Sequence, residues 1–300
     1  MCLIAFAIGL RPHSPLLVAA NRDEFWHRPT RPLSRWALNG QRWIVAGQDL
    51  QAGGTWMGFG EDGRVAMLTN VRHGPPEAAP RSRGELLTLW LSGQMDSAQA
   101  LAAQVDPVAY GGFNLVLGDV RRGRWAWLSN RQGDCQATDP AHTLPLPAGW
   151  QGQALPPGLY GLSNAALNTP WPKAQRLTQA LAQAMDRLDE QPDDDGWRQP
   201  LLAALTDRQQ APAAECPSTG LPPAHEQALS APFVHIPATG YGTRSSLLAR
   251  WQGSQNGAPL ELEEWTHDPQ QDQAPGTAWP LSHSRYQRIS MATWGMPTSS

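Results

Sequence analysis

The first 25 residues, MCLIAFAIGLRPHSPLLVAANRDEF, decide how this chain folds. Residues 2–10 and 16–20 are apolar and rich in β-forming side chains, and the Pro-containing stretch 11–15 between them is typical of a turn. Two short apolar runs joined in this way predict an antiparallel hairpin. No positive charge precedes the first run and prolines interrupt the stretch, so it does not match the pattern of a secretory signal.

The rest of the chain is organised in alternating blocks of strands and helices. Further hairpins are predicted at residues 56–69, where Asp62-Gly63 gives the turn, and at residues 113–129. Other strands are expected at residues 43–46, 159–163, 233–236, 244–251, 260–265 and 286–291. Periodic apolar residues predict helices at 82–94, 97–105, 172–188 and 197–205. This order predicts an α+β fold in which helices cover a sandwich of antiparallel sheets.

Length and local composition predict the domain organisation. A chain of 300 residues with 41% hydrophobic content fits one large domain, and we expect a single domain over residues 1–300. Two segments, 131–157 and 210–232, are rich in Pro, Gly and Ala. We expect both segments to be mobile loops.

Composition also excludes several classes of protein. A net charge of −3 argues against nucleic acid as the main partner. No apolar run approaches the ~20 residues of a membrane-spanning helix. The three cysteines, Cys2, Cys135 and Cys216, form neither a disulfide framework nor a zinc pattern, so we expect no metal site and a reducing compartment, the cytoplasm. Only Lys173 among 23 basic residues is a lysine, an arginine bias that favours a GC-rich bacterial source.

Cys2 is the first candidate for chemistry. A thiol is a strong nucleophile near neutral pH. If Met1 is removed, Cys2 also carries a free α-amine with a pKa of about 8, which can accept the proton of a thiol whose pKa is about 8.5. One residue then supplies both nucleophile and base. The alternative is that Cys2 is only a buried apolar residue of the first strand.

Polar residues at the ends of other predicted strands support the first interpretation. Asn21-Arg22-Asp23-Glu24 follows the apolar run 16–20 and places two carboxylates beside a guanidinium. Asn70 and Asn164 end two further strands, where an amide can cap a turn or donate to an oxyanion. Arg244 opens a late strand and could lower the pKa of a thiol. A solvated loop is the alternative for residues 21–24.

A set of short motifs then resembles one known family. The motifs are Met1-Cys2-Leu3-Ile4, Ala20-Asn21-Arg22-Asp23-Glu24-Phe25, Arg28-Pro29, Gly53-Gly54-Thr55-Trp56-Met57-Gly58, Leu68-Thr69-Asn70, Arg83-Gly84-Glu85-Leu86, Gly112-Phe113-Asn114-Leu115, Tyr160-Gly161-Leu162-Ser163-Asn164-Ala165, Thr169-Pro170-Trp171 and Tyr241-Gly242-Thr243-Arg244. These motifs follow one another in order between residue 1 and about residue 250. Together they resemble the NRDE family, also called the transport and Golgi organisation 2 family.

The resemblance implies both a fold and a set of site residues. The implied fold is a four-layer αββα sandwich like that of the N-terminal-nucleophile (Ntn) hydrolases, similar in outline to bile salt hydrolases and penicillin V acylases. The implied catalytic set is Cys2 as nucleophile, Arg22 and Asp23 as orienting charges, Asn70 and Asn164 as oxyanion or amine partners, and Arg244 as thiolate stabiliser. The implied activity is hydrolysis of an amide or ester of a small, partly apolar substrate, with no cofactor required.

One departure from the acylase pattern leaves alternatives open. Those enzymes usually show Arg-Asn-x-Asp, whereas this chain has Asn21-Arg22-Asp23-Glu24. Either Asp23 or Glu24 can be the equivalent carboxylate, and either Asn21 or Arg22 the equivalent of the arginine. Because side chains alternate between the faces of a strand, neighbours cannot both point into one site. Asn21 and Glu24 are therefore carried as substrate-binding candidates.

A second interpretation is a carrier on the same fold that binds haem or an acyl chain without catalysis. It depends on the tryptophans that could line an apolar cleft, namely Trp26, Trp36, Trp56, Trp90 and Trp171. Trp56 and Trp171 are the two proposed for substrate binding. Cys216-Pro217 resembles a haem-responsive pair, so haem is a possible ligand. Ordinary core packing is the alternative for these tryptophans.

Overall fold

The computed structural model describes residues 2–40, 42–74, 78–131, 140–191, 194–253, 259–268 and 278–291. Within these ranges the strands are β1 (Cys2–Ile8), β2 (Leu16–Phe25), β3 (Thr30–Leu38), β4 (Arg42–Asp49), β5 (Met57–Gly60), β6 (Arg64–Asn70), β7 (Phe113–Asp119), β8 (Arg124–Ser129), β9 (Gln151–Ala154), β10 (Gly158–Leu162), β11 (His235–Ile236), β12 (Tyr241–Trp251), β13 (Leu260–His267) and β14 (Ser284–Met291). The α-helices are α1 (Gly84–Leu91), α2 (Ala98–Gln104), α3 (Pro172–Glu190), α4 (Arg198–Leu205) and α5 (Pro223–Ala228).

The strands form two antiparallel sheets. The first sheet has the order β10-β1-β2-β12-β13-β14, with β11 paired to β12. The second runs in chain order from β3 to β9. The predicted hairpins β1–β2, β5–β6 and β7–β8 are all present as antiparallel pairs. Because β1 and β2 are central in the first sheet, they are buried on both faces, which explains their nearly unbroken apolar sequence.

Three layers of apolar contact hold the molecule together. Between the sheets, alternate residues of β1 such as Ile4 and Phe6 pack with residues of the second sheet such as Met67. The other face of β1, including Leu3 and Ala5, packs with α3 and α4. Helices α1 and α2 cover the outer face of the second sheet. The result is a four-layer αββα sandwich, and the predicted α+β fold class is confirmed.

Two segments expected as loops contain regular structure. Strand β9 lies inside residues 131–157 and pairs with β8 at the edge of the second sheet. Helix α5 lies inside residues 210–232 and buries Glu226. Residues 132–139, with Cys135, lie outside the described residues. The short length of both elements and their Pro, Gly and Ala content leave little periodic signal, which is why the sequence predicted loops.

Strand β3 was not predicted. Its sequence, TRPLSRWAL, carries two arginines and a proline. Buried and exposed side chains alternate along only part of the strand. These are features of an edge strand, which can expose charged side chains and omit a backbone donor. Strand β3 is indeed the first strand of its sheet and pairs only with β4 in that sheet.

Candidate active site

Cys2 lies at the beginning of β1, on the face that looks towards the second sheet. It is paired in register with Arg22 of β2, and Arg22 is paired on its other side with Ser245 of β12. Side chains of directly paired residues stand on the same face of a sheet. Cys2 and Arg22 are 8% and 5% exposed, so the thiol and the guanidinium share a nearly closed space.

Arg22 is held by one carboxylate and one aromatic ring. Its Nη2 atom lies 3.6 Å from a carboxylate oxygen of Glu24, which also lies 3.8 Å from Nε of Arg28. The guanidinium carbon of Arg22 lies 4.2 Å from the centre of the Trp56 ring, a cation–π distance. The Nη1 atom of Arg22 is buried and has no hydrogen-bond partner among the described residues. The Nη1 group of Arg22 can therefore donate a hydrogen bond to a bound molecule.

A small cavity opens beside the thiol. Its volume is about 10 Å³, and its lining includes Cys2, Arg22, Trp56, Met57, Ser245 and Leu247. A volume of this size holds roughly one water molecule. A larger substrate therefore needs a side chain of this lining to move.

Of the polar residues of β2, Asn21 and Arg22 contribute atoms to the cavity lining, and strand alternation turns their side chains to opposite faces. Arg22 and Glu24 share the face of Cys2, whereas the side chains of Asn21 and Asp23 turn to the helix-covered face. The Asn21 amide donates to the carbonyls of Leu205 and Pro232, at 2.8 and 2.9 Å. Asn21 therefore joins β2 to the end of α4, and its side chain is occupied in the structure rather than aimed at a substrate.

Asp23 is a buried carboxylate beside the site. It is 1% exposed and accepts a hydrogen bond of 2.7 Å from the Thr243 hydroxyl. Burial raises the pKa of Asp23, while Lys173, the Thr243 hydrogen bond and Arg22 oppose this shift. Burial also raises the pKa of the Cys2 thiol, and Asp23 adds to the rise while Arg22 opposes it. The thiol therefore depends on nearby positive charge to ionise.

Asn164 connects two of the strands that converge on the site. Its side-chain amide is fully buried and donates to the backbone carbonyl of Asn70, with a nitrogen–oxygen distance of 3.0 Å. Ser163, its neighbour, donates to the Cys2 carbonyl at 3.4 Å. Asn70 ends β6 and shares a face of that strand with Leu68, which packs towards α1. The structure thus brings Asn164 near Cys2 and joins it to the Asn70 backbone. The Asn70 side chain lies on the opposite face of β6 from the one the sequence analysis expected, because strand alternation places it with Leu68.

Arg244 lies at a bulge of β12, opposite the end of β2. Its Nη1 atom donates to the carbonyls of Phe25 and Trp26 at 3.0 and 2.9 Å. Burial lowers the pKa of Arg244, and the charge of Arg22 lowers it further. Arg244 therefore fixes the turn after β2 and stands near Arg22, while Arg22 takes the place directly opposite Cys2.

A second charged cluster lies behind the site and was not identified from the sequence. Arg72 forms an ion pair of 3.0 Å with Glu226 of α5, and its guanidinium carbon lies 4.7 Å from the Trp171 ring centre. Lys173, on the first turn of α3, is 1% exposed. Trp171 therefore packs beside this cluster rather than in the cavity lining. The one available signal was that Lys173 is the single lysine of an arginine-rich chain.

The other tryptophans do not form a common cleft. Trp36 and Trp90 pack between the second sheet and its helices, and Trp26 stacks on His235 with ring centres 5.4 Å apart. Cys216 is half-buried and its thiol contacts the carbonyls of Ala211 and Pro212. No group of three or more His, Cys, Asp or Glu residues that could hold a metal occurs in the described part of the chain.

The chain is thus a four-layer αββα sandwich whose first strand begins with a cysteine buried between the sheets, opposite an arginine. The chain belongs to the Transport and Golgi organisation 2 family, whose model matches residues 1–262. It is similar to the Transport and Golgi organization protein 2 homolog of Bos taurus, with 34% identity over 256 residues, 82% of this chain and 87% of that protein. For the Homo sapiens homolog the identity is 33% over 263 residues, 83% of this chain and 87% of that protein.

These relatives confirm the predicted family. Because both are mammalian, the bacterial origin stays a prediction. No helix among the described residues has the length and apolar character to cross a membrane.

Two solved structures show distant likeness. One is the C2A mutant of conjugated bile acid hydrolase from Clostridium perfringens, with a TM-score of 0.44 and 11% identity, covering 99% of this chain and 95% of that one. The other is the Caenorhabditis elegans ortholog of N-acylethanolamine-hydrolyzing acid amidase, with a TM-score of 0.42 and 11% identity, covering 85% and 94%. The fold class stands on the sheet order and the helix layers described above.

Proposed function

We propose that this protein is an N-terminal-cysteine hydrolase that cleaves an amide, ester or thioester bond of a small, partly apolar acyl compound. The observation that carries the proposal is the pairing of Cys2 with Arg22 on one face of adjacent strands, at a cavity lined also by Trp56. A thiol buried without a function needs no guanidinium beside it, since placing an arginine in a nearly closed space costs free energy.

The first step proposed is attack by the Cys2 thiolate. With Met1 removed, the α-amine of Cys2 takes the proton of the thiol, and the sulfur forms a bond to the substrate carbonyl carbon. The carbonyl π electrons move to oxygen and form an oxyanion. Arg22 stabilises the negative charge on sulfur, since an adjacent cation favours the thiolate.

The second step proposed is collapse of this intermediate to a thioester on Cys2. The bond from carbon to the leaving nitrogen, oxygen or sulfur breaks, and the leaving group takes the proton from the α-amine. A water molecule then attacks the thioester carbon and releases the acid and the free thiol. The side-chain amide of Asn164 is the candidate for oxyanion stabilisation. The thiolate must stay reduced, which fits the proposed cytoplasmic location.

The test is hydrolysis of a panel of acyl amides, esters and thioesters of increasing chain length. We expect turnover by the wild type, none above background by Cys2→Ala, and wild-type turnover by Cys216→Ala, the matched control. The intact mass of the same samples shows whether Met1 has been removed. Turnover that is equal in the Cys2→Ala variant would contradict the proposal.

The absence of any Cys2-dependent turnover and adduct would instead favour the carrier function on the same fold. The carrier function is tested by adding haemin and measuring a change in its absorbance spectrum beyond that of an albumin control, or by measuring binding of an acyl chain. The dispersal of the tryptophans over separate packing layers gives this function less support than the Cys2–Arg22 pair gives to hydrolysis.

A further inference from the structure

Trp56 is the side chain that separates the cavity beside Cys2 from solvent. In the described part of the chain nine residues line this cavity, and eight of them, including Cys2 and Arg22, are buried. Trp56 is the half-buried one. A molecule that reaches the thiol from solvent therefore meets the Trp56 ring first.

The Trp56 ring contacts both sheets. The guanidinium carbon of Arg22, in the first sheet, lies 4.2 Å from the ring centre. In the second sheet the ring lies against Gly47 of β4, where a Cβ atom would overlap the Cζ2 and Cη2 atoms of the indole. Glycine at position 47 thus leaves the space that the ring occupies between the sheets.

The backbone of Trp56 is fixed by hydrogen bonds at the residue itself and at the residue before it. The Trp56 carbonyl accepts from the Leu68 amide of β6 at 2.9 Å, and the Thr55 amide donates to the Gly84 carbonyl at 3.3 Å. Because the main chain is held in this way, rotation of the Trp56 side chain can open the cavity without any movement of the strands.

The cavity accepts little more than the reacting atoms while the ring is in place. Its volume is about 10 Å³, the space of roughly one water molecule. When the Cys2 sulfur bonds to a carbonyl carbon, the next carbon of the acyl group must lie in or beside this space. The apolar side chains of Ile4, Met57 and Leu247 form part of its wall and suit a methylene group.

We propose that Trp56 is a specificity-determining residue of the Cys2 site, whose ring closes the cavity and favours acyl groups that are unbranched next to the carbonyl. The inference deepens the proposed hydrolase function and rests on it for the identity of the substrate. An unbranched chain needs only a small rotation of the ring. A methyl branch forces the ring away from Gly47 and costs the cation–π contact with Arg22.

The direct test compares two alkylating reagents on Cys2 and needs no hydrolysis. The reagents are iodoacetamide and 2-iodopropanamide, which adds one methyl branch at the reacting carbon. The protein carries serine at positions 135 and 216, and each rate is divided by the rate with free cysteine. We expect the branched reagent to be disfavoured about tenfold when Trp56 is present, and this preference to be nearly lost in Trp56→Leu. The ratio of the two rates cancels any change in the thiolate fraction.

Trp43→Leu is the matched control. Trp43 is an exposed tryptophan of β4 whose ring centre lies 4.7 Å from the guanidinium carbon of Arg35, and it does not line the cavity. The variant thus removes the same kind of cation–π pair and should leave the ratio unchanged. If Trp56→Leu does not fold, Trp56→Phe, which keeps a smaller aromatic ring, should still weaken the preference severalfold.

A ratio that is the same with and without Trp56, or a wild-type ratio equal to that of free cysteine, would overturn the inference. Both results are independent of hydrolysis, so they separate this inference from the proposed function. If hydrolysis fails but the alkylation ratios behave as expected, Trp56 still closes the cavity and only the proposed activity is lost.

The second test asks whether the same residue selects substrates. Butanoyl and 2-methylpropanoyl thioesters are isomers that differ only in branching. Relative to their uncatalysed hydrolysis, we expect kcat/KM to favour the straight isomer by about tenfold in the wild type and by much less in Trp56→Leu. A merely structural tryptophan would lower both values together and leave the preference unchanged. That outcome would overturn the inference and leave the hydrolase function standing.

Discussion

Arg22 is the basic side chain that faces the Cys2 thiol from the neighbouring strand. It faces Cys2 across the β1–β2 pair, and its charge lowers a thiol pKa that burial raises. The family resemblance pointed to Arg22 but left Asn21 open as its equivalent. Strand alternation decides between them, because it turns the Asn21 side chain to the carbonyls at the end of α4.

Replacing Arg22 should slow alkylation of Cys2. In Arg22→Met the pKa of the thiol rises by about one unit or more, so the thiolate fraction and the iodoacetamide rate at pH 7 fall about tenfold. The measurement uses a background in which Cys135 and Cys216 are serine. Arg122→Gln, at the half-exposed turn between β7 and β8, is the control and should leave the rate unchanged. An unchanged rate in Arg22→Met would show that Arg22 does not tune the thiol.

His267 is a second residue whose surroundings set its charge. It is 2% exposed, and its two ring nitrogens lie 2.9 Å from the Ser246 hydroxyl and 2.7 Å from the Ser284 hydroxyl. Burial lowers the pKa of His267 to about 3. The ring is therefore neutral, and it joins β12, β13 and β14 as a structural element.

This histidine should make the protein less stable in acid. The unfolded chain gains the proton near pH 6.5, about three units above the folded chain, so stability is lost as the pH falls below about 6.5. At pH 5 the loss from His267 alone is about 2 kcal/mol. Urea unfolding at pH 7 and pH 5 should show a smaller difference in His267→Gln than in the wild type. His73→Gln, at an exposed histidine, should keep the full difference.

At the scale of elements, the beginning of α1 is fixed by backbone contact with the turn before β5. A Cβ atom on Gly54 would lie 2.5 Å from the carbonyl carbon of Gly84, the first residue of α1. The amide of Thr55 also donates to the Gly84 carbonyl. This contact gives a physical reason for glycine at both positions.

Gly54→Ala should therefore destabilise the protein by about 1–3 kcal/mol, because two backbone segments must separate. The matched control is Gly53→Asn. Gly53 has a φ of +76° with no atom near its missing Cβ, and asparagine tolerates this conformation. Urea unfolding of the two variants should give a clear loss for Gly54→Ala and a small one for Gly53→Asn. Equal losses would mean that the close approach does not matter.

The predictability of an element follows from how much of its signal is local. The hairpin β1–β2 and the helix α3 were predicted because two apolar runs around a turn, and an apolar stripe over five turns, are visible in the sequence itself. Strand β3 was missed because an edge strand tolerates Arg31 and Pro32, and β9 because four residues carry no clear period. The predicted helix at 82–94 is also longer than α1 (Gly84–Leu91). Its beginning is set by the contact of Gly84 with Gly54, which is not visible in the local sequence.

At the scale of the whole molecule, a buried ion pair joins α5 to the segment that follows β6. Glu226 of α5, 3% exposed, pairs with Arg72, which follows β6, and its other oxygen accepts from the Thr219 backbone at 2.7 Å. Burial lowers the pKa of Arg72, and the charges of Glu226 and Asp23 oppose this shift. The members of the pair come from chain segments about 150 residues apart, so no local pattern could show that they meet.

Breaking this pair should cost much more stability than removing an exposed charge. In Glu226→Gln, Arg72 stays buried without its countercharge, and we expect a loss of about 3–5 kcal/mol. Glu215→Gln removes an exposed carboxylate of the same segment and should cost little. Urea unfolding at pH 7 measures both. A loss below 1 kcal/mol in Glu226→Gln would contradict the role given to the pair.

How much of the site could be predicted also depends on whether a residue carries a local sequence signal or is brought into place only by packing. Cys2, Arg22 and Asn164 were named as candidates because their motifs resemble those of a family, and their roles stay predictions. Lys173, Arg72 and Glu226 were not found, because only packing brings them together. Alternation already placed Asp23 and Glu24 on opposite faces of β2, but the sequence could not decide which of them faces Cys2, since this requires the register of β1 and β12.

The central claim is that Cys2 is an acyl-accepting nucleophile, and intact-mass spectrometry after rapid acid quenching tests it most directly. Wild-type protein mixed with an acyl thioester should gain one acyl mass, located on Cys2 by peptide mapping, within the first turnover. Cys216→Ala should gain the same mass and Cys2→Ala should gain none. An equal acyl adduct on Cys2→Ala, or hydrolysis by the wild type with no adduct on Cys2 at any time, would contradict the account.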